Sequence, residues 1–304
     1  MGINDDADLD TGQVQDLRGS GGGTGPLGRL PGGGFTAGGG IVGLIVVVVL
    51  GILGGTGHLG LGDDTDQRSA GSSLRQSCSA DNPDRFRRTD CRNVLYVNSV
   101  QAYWRTALPA SFNTRYDAAP TRFFSQVVRT GCGQADSGVG PFYCPADHAV
   151  YIDLSFYDQL AGPQFGAPGD FAQAYVLAHE YGHHVQALLG TEAKVRAAQQ
   201  RDPRNANRYS IALELQADCY AGVWATHAAQ TTDEKGNRLF TSVSRAEIDQ
   251  AMTAAQAVGD DTIQSRAGGG IHQESWTHGS GEQRQHWFAT GYDTGDPTSC
   301  RTFS

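Results

Sequence analysis

Between Leu177 and Gln186 the chain reads LAHEYGHHVQ. Three histidines and a glutamate fall within six residues of a chain that holds only nine histidines. The flanking apolar residues Phe171, Tyr175, Ala178, Val185 and Leu189 recur near helical spacing. Asp170 and Gln173 form a capping-box pattern, and Gly190 suits a helix end. The spacing therefore predicts one amphipathic helix over 171–190. That helix carries ionisable groups into apolar surroundings, where each needs a partner. The rest of the fold must supply those partners.

His179 and His183 stand four apart, so they share a helix face and can meet one metal ion. Glu180 projects beside them, where it can take a proton from water. This is the H-E-x-x-H arrangement of zinc metallopeptidases. The competing explanation is histidines satisfied by hydrogen bonds in a core. His184 lies about 100° around the helix from His183 and is expected to be a packing or surface residue. A catalytic zinc site needs a third protein ligand, and no histidine follows closely. The next helical pattern, YSIALELQADCYAGVWATHAAQ (209–230), carries Glu214 and Asp218 inside an apolar run. Glu214 can coordinate the metal, and Asp218 can accept the outer N–H of a ligating histidine. A solvated helix face is the bland alternative.

The net charge is -9 and no basic run occurs, which excludes nucleic acid as the expected partner. Residues 1–36 are rich in Asp and Gly and are expected to be disordered. Residues 37–61 surround the apolar run Ile41–Leu53 and, with their flanks, reach the roughly 20 residues of a membrane-spanning helix. Residues 62–77 form a linker, and 78–304 a globular domain. All six cysteines follow the apolar run. That distribution suits disulfides, and predicts a single-pass membrane protein with its domain on the extracytoplasmic side. Cys132 with Cys144 and Cys78 with Cys91 are the expected pairs, on short spacing alone.

HExxH followed by E-x-x-x-D resembles the gluzincin arrangement. More closely, HEYGHHVQALLG, ELQADCYAGVWA, CPADHAVYIDLSFY and THGSGEQRQHWFATGY resemble the family called putative neutral zinc metallopeptidases. The likeness covers nearly the whole chain, most securely 90–292. QDLRGSGGG before an apolar segment also fits, although the head is more acidic than that family's start. The resemblance implies an α+β zincin-like domain, membrane-anchored, with Zn2+ on His179, His183 and Glu214.

Around this centre, 149–155 in HAVYIDLSF reads as a strand. It is expected to be the edge strand that pairs with an extended peptide, with an ordinary core strand as the alternative of equal weight. Asp153 within it has no assigned role. Candidates for the oxyanion donor are His278, Arg284 and Tyr181, with His278 preferred; Ser280 and Gln283 form another capping box. SRAEIDQAMTAAQAVGDDTI (244–263) reads as one capped helix, and Trp224, Trp276 and Trp287 as core. The expected activity is peptide-bond hydrolysis by water that Glu180 deprotonates, on a peptide or protein substrate. Two alternatives stand beside it: a non-catalytic metal- or partner-binding protein of the cell envelope, and a zinc amidase acting on a non-peptide substrate.

Overall fold

A computed structural model describes residues 1–18, 73–268 and 270–303. These residues form a mixed α/β structure. Strands β1 (Gly2–Ile3) and β2 (Val14–Asp16) precede the long helix α1 (Thr89–Phe112). Then come β3 (Thr121–Phe124), a hairpin of β4 (Val127–Thr130) and β5 (Gly133–Asp136), and β6 (Phe142–Cys144) with β7 (Ala149–Asp153). The main sheet has the order β2–β3–β7–β6, parallel except for β6.

Every residue of β7 is buried. Val150 and Ile152 face the helices, while Ala149 and Tyr151 join Phe142, Val128 and Ala135 in a small second core under the hairpin. A strand covered on both faces and paired on both sides cannot be an edge, so the expectation for 149–155 is corrected. The sheet's two edges are β2 and β6, and β6 folds back onto β7 through a tight turn with His148 at φ 48. Asp153 is buried. Its carboxylate accepts the N–H groups of Gln126 and Ser155 and the Ser137 hydroxyl, which pins the hairpin to the sheet.

The amino-terminal segment differs most from the expectation. Residues 1–18 are not disordered: β1 pairs with β8 (Phe240–Ser242), and Val14–Asp16 pair in register with Thr121–Phe123. Few of these side chains are apolar, so composition suggested disorder. Hydrogen bonds hold them instead. Asn98 bonds both the N–H and the C=O of Asp10, at 2.9 and 3.0 Å, and Arg85 donates to the carbonyls of Asp5 and Ala7. Arg18 donates to Asp16 and Asp90.

This corrects the single-pass membrane assignment. One crossing within 37–61 would put residues 1–18 and 73–303 on opposite sides of a bilayer, yet β2 and β3 share a sheet. Among the described residues, no helix is long and apolar enough to cross a membrane. The segment 37–61 itself lies outside the described residues.

The remaining helices are α2 (Phe156–Ala161), α3 (Asp170–Leu188), α4 (Thr191–Arg201), α5 (Ala206–His227), α6 (Arg245–Ala257), α7 (Asp260–Arg266) and α8 (Gly281–Thr294). Helix α3 packs on α1, α5 and α6, and α5 packs on α8. Asp170 does not cap α3. Gly169 precedes the helix, and the Gln250 side chain accepts the Phe171 N–H at 3.1 Å. Gly190, at φ 69, ends the helix as expected. The segment 244–263 is two helices, broken around Gly259. Trp224 is fully buried, whereas Trp276 and Trp287 are half-buried.

Close helix contacts set the site's geometry. A Cβ on Gly182 would stand 2.9 Å from the Ala217 Cα, so only glycine lets α3 and α5 approach this closely. On the other side of α5, Gly222 meets the backbone of Phe288, and Gly291 of α8 meets the Cys219 carbonyl. The disulfides are Cys78–Cys91, Cys132–Cys144 and Cys219–Cys300.

Candidate metal centre

The close approach of α3 and α5 brings His179, His183 and Glu214 together. Each offers a ligand atom, and these atoms lie within 4.8 Å of one another. His179 Nε2 is 3.1 Å from Glu214 Oε2, and His183 Nε2 is 3.5 Å from Oε1. Ligand atoms around a tetrahedral zinc ion stand about 3.3 Å apart, so two imidazoles and one carboxylate fit a zinc site by spacing and donor type. A second cluster, Cys78, Asp90 and Cys91, is no match, because its sulfurs are joined in a disulfide.

The outer nitrogens are engaged too. His179 Nδ1 donates to Asp218 Oδ1 at 2.8 Å. Asp218 is fully buried and also accepts Tyr175 Oη–H at 2.6 Å and two bonds from Arg284, at 2.8 and 3.0 Å. His183 Nδ1 donates to Gln186 Oε1 at 2.9 Å. The Gln186 amide is oriented unambiguously, since its Nε2 donates to the Leu213 carbonyl at 2.7 Å. Both imidazoles therefore carry their proton on Nδ1 when neutral, and turn the Nε2 lone pair toward Glu214. That is the tautomer a metal requires. Arg284 Nη2 also lies 3.3 Å from His179 Nδ1. We read this as crowding of two donors around one carboxylate, not as a hydrogen bond.

Electrostatics follow this arrangement. Burial pushes the Asp218 carboxyl up, but Arg284 and His179 outweigh it and hold the pKa at about 2. Burial lowers His183, yet Glu214 beside it raises it to about 10. Glu214 stays well below the usual carboxylate range despite burial, owing to His183 and His278. Glu180 is different: burial dominates and lifts its carboxyl above the ordinary value. A base with a raised pKa can take and return a proton near neutrality.

His278 is buried next to this trio. It sits in the loop before α8, whose capping box of Ser280 and Gln283 forms as expected. The other two oxyanion candidates are placed elsewhere. Arg284 is spent on Asp218. The Tyr181 hydroxyl donates to the Ala119 carbonyl and bonds Thr121 on the sheet side of α3. His184 also faces that side, where Nε2 donates to the Asp117 carbonyl at 2.7 Å and Nδ1 accepts from Tyr143. Burial holds it at about pH 4, so it packs as a neutral ring.

Sequence reasoning missed Tyr175, Gln186 and the Arg284–Asp218 pair. Gln186 had a signal, because it follows His183 by three residues on the same face. Arg284, a charge one turn before Phe288, was another.

The sequence pattern of the family described as "Putative neutral zinc metallopeptidase" matches residues 6–303. The chain is 42% identical over 296 residues to "Uncharacterized protein YpfJ" of Escherichia coli, covering 95% of each. It is 46% identical over 244 residues to "Uncharacterized protein Rv2575" of Mycobacterium tuberculosis, covering 80% of this chain and 79% of that protein. No solved structure matches.

Proposed function

The chain belongs to the putative neutral zinc metallopeptidase family, and from that membership and the His179–His183–Glu214 cluster we propose that it is a zinc-dependent peptidase with a zincin-like α+β domain. One observation carries the proposal: two imidazole Nε2 atoms and one carboxylate converge, each imidazole held from behind by an acceptor. When bound, zinc supplies Lewis acidity that polarises a carbonyl and acidifies water. Glu180 takes the proton of the attacking water and returns it to the leaving amine. Asp218 and Gln186 fix the two rings. His278 donates to the carbonyl oxygen as charge develops there. Of the two edge strands, β6 lies beside α3, where an extended peptide would add as a further strand.

The test uses the full chain, because residues 1–18 are built into the sheet. Zinc content is measured for wild type, Glu214→Ala and Glu180→Gln. Wild type and Glu180→Gln should each carry one zinc, and Glu214→Ala none. Casein cleavage should be lost in both variants. A folded wild-type chain that takes up no zinc at micromolar supply sinks the proposal.

A further inference from the structure

Glu192 stands in the first turn of α4, a helix that packs on both α3 and α5. The chemistry described above makes no use of it. Its side chain is turned inward, with 5% exposure, the same as His183. Its Oε1 is buried and meets no hydrogen-bond donor. Arg196 lies one turn along α4, at the spacing of a helical ion pair, yet it leaves that oxygen bare. Burial lifts the carboxyl above its ordinary range, and His183 and Arg196 offset this only in part. A buried acceptor without a partner is costly to keep, so a partner from outside the chain would repay that cost.

The surroundings narrow what that partner can be. The charge of Glu192 acts on His183 and Glu214 on one side, and on the Tyr143 hydroxyl of β6 on the other. Glu192 therefore lies between the metal cluster and the edge strand, along the course of a peptide added to β6. The ligand atoms of His179, His183 and Glu214 converge without it. Glu180 and Glu214 are acids too, and Arg284 is taken up by Asp218. A cation suits this place. A lysine or arginine reaches a deep carboxylate through its thin apolar stem, whereas a terminal amine would need the backbone itself to descend.

We propose that Glu192 is the acidic floor of a side-chain subsite, which takes a lysine or arginine of the peptide near the bond to be cut. This rests on the peptidase reading above and adds to it the charge class of the substrate.

Binding to zinc-loaded, full-length Glu180→Gln, measured by calorimetry, reads the subsite apart from the chemistry. The probes are short alanine peptides blocked at both ends, with lysine, arginine, norleucine or citrulline at the centre. A further norleucine peptide keeps its free α-amine. The lysine and arginine peptides should bind about 10–100-fold tighter than the neutral ones, the worth of a hydrogen bond to a charged group. With Glu192→Gln added, all should bind alike at unchanged zinc content. In wild type, casein cuts mapped by mass spectrometry should cluster beside lysine and arginine, and Glu192→Gln should lose that bias.

Equal binding of charged and neutral peptides overturns the proposal, and this comparison needs no change at Glu192. No binding by any of the peptides at millimolar supply overturns it as well. So does a preference that survives Glu192→Gln, or one shown only by the free α-amine. Zinc lost from Glu192→Gln would assign the residue to the metal instead, which also overturns it. Casein left intact by the zinc-loaded wild type, with the lysine preference kept, sinks the hydrolase reading alone.

Discussion

The two histidines of the metal cluster are held in contrasting ways. Behind His179 lies charge: a fully buried carboxylate, clamped by Arg284 of α8 and by the Tyr175 hydroxyl. Behind His183 lies a neutral relay. Gln186 passes from the imidazole to the Leu213 carbonyl and to Gln216, which donates to the Cys300 carbonyl at 2.8 Å. The first support depends on a third helix packed against α5. The second is local to α3 and α5, with a reach to the chain's carboxyl-terminal end. A buried ion pair is costly to break, because the surviving charge is left without water or partner. A neutral amide relay is cheaper to lose. Folding and ring orientation are therefore coupled tightly at His179 and loosely at His183.

The sharpest break comes from Arg284→Ala. It removes the guanidinium that Asp218 faces in a site with no exposure, leaving only the Tyr175 and His179 bonds, and should cost about 3–5 kcal/mol in urea unfolding. If stability stays within about 1 kcal/mol of wild type, the size of a surface pair, the charged support does not hold the site. Replacing both Arg284 and Asp218 with leucine should restore much of that stability without restoring zinc affinity.

Acid gives the next largest effect, through the third histidine of the run. His184 has a folded-state value of about 4, below the ordinary 6.5. Between those values the unfolded chain binds the extra proton and the folded chain does not. The stability it contributes is present above 6.5 and is lost as pH falls toward 4. Roughly 3 kcal/mol is at stake on the scale of 1.36 kcal/mol per pH unit. Unfolding midpoints of His184→Gln should be flatter across pH 6.5–4 than those of wild type. Parallel curves would contradict the neutral, buried ring.

Gln186→Ala is the mildest. Zinc affinity should fall about 10–100-fold, as when other outer partners of metal-bound histidines are removed, while urea unfolding shifts by about 1 kcal/mol. A stability loss as large as that of Arg284→Ala would erase the contrast between the two supports.

What could be read from the sequence was what is local. HExxH, the Gly190 stop, both capping boxes after residue 240 and the Glu214/Asp218 spacing each rest on residues within a turn or two of one another. Two disulfides with short loops were foreseeable for the same reason. The α5 helix was legible because its acids stand inside an apolar run. Long-range pairing was not legible. Nothing near Val14 announces Thr121 as its partner, and Asn98 and Arg85 do their holding from far along the chain. The strand at 149–153 has the composition of either an edge or a centre, and only its neighbours decide. Arg284 is a candidate for chemistry in the sequence because it is a charge within THGSGEQRQHW. Its burial against Asp218 gives it a supporting task instead.

Residues 1–18 and 73–303 share one sheet, although a long stretch of chain separates them. A protease cut within that stretch would leave the folded part in two pieces with no covalent bond between them, since all three disulfides lie beyond residue 77. The short piece would stay seated through two strand pairings and the Asn98 and Arg85 contacts. The nicked protein is then a peptide–protein complex, and its integrity becomes a matter of concentration.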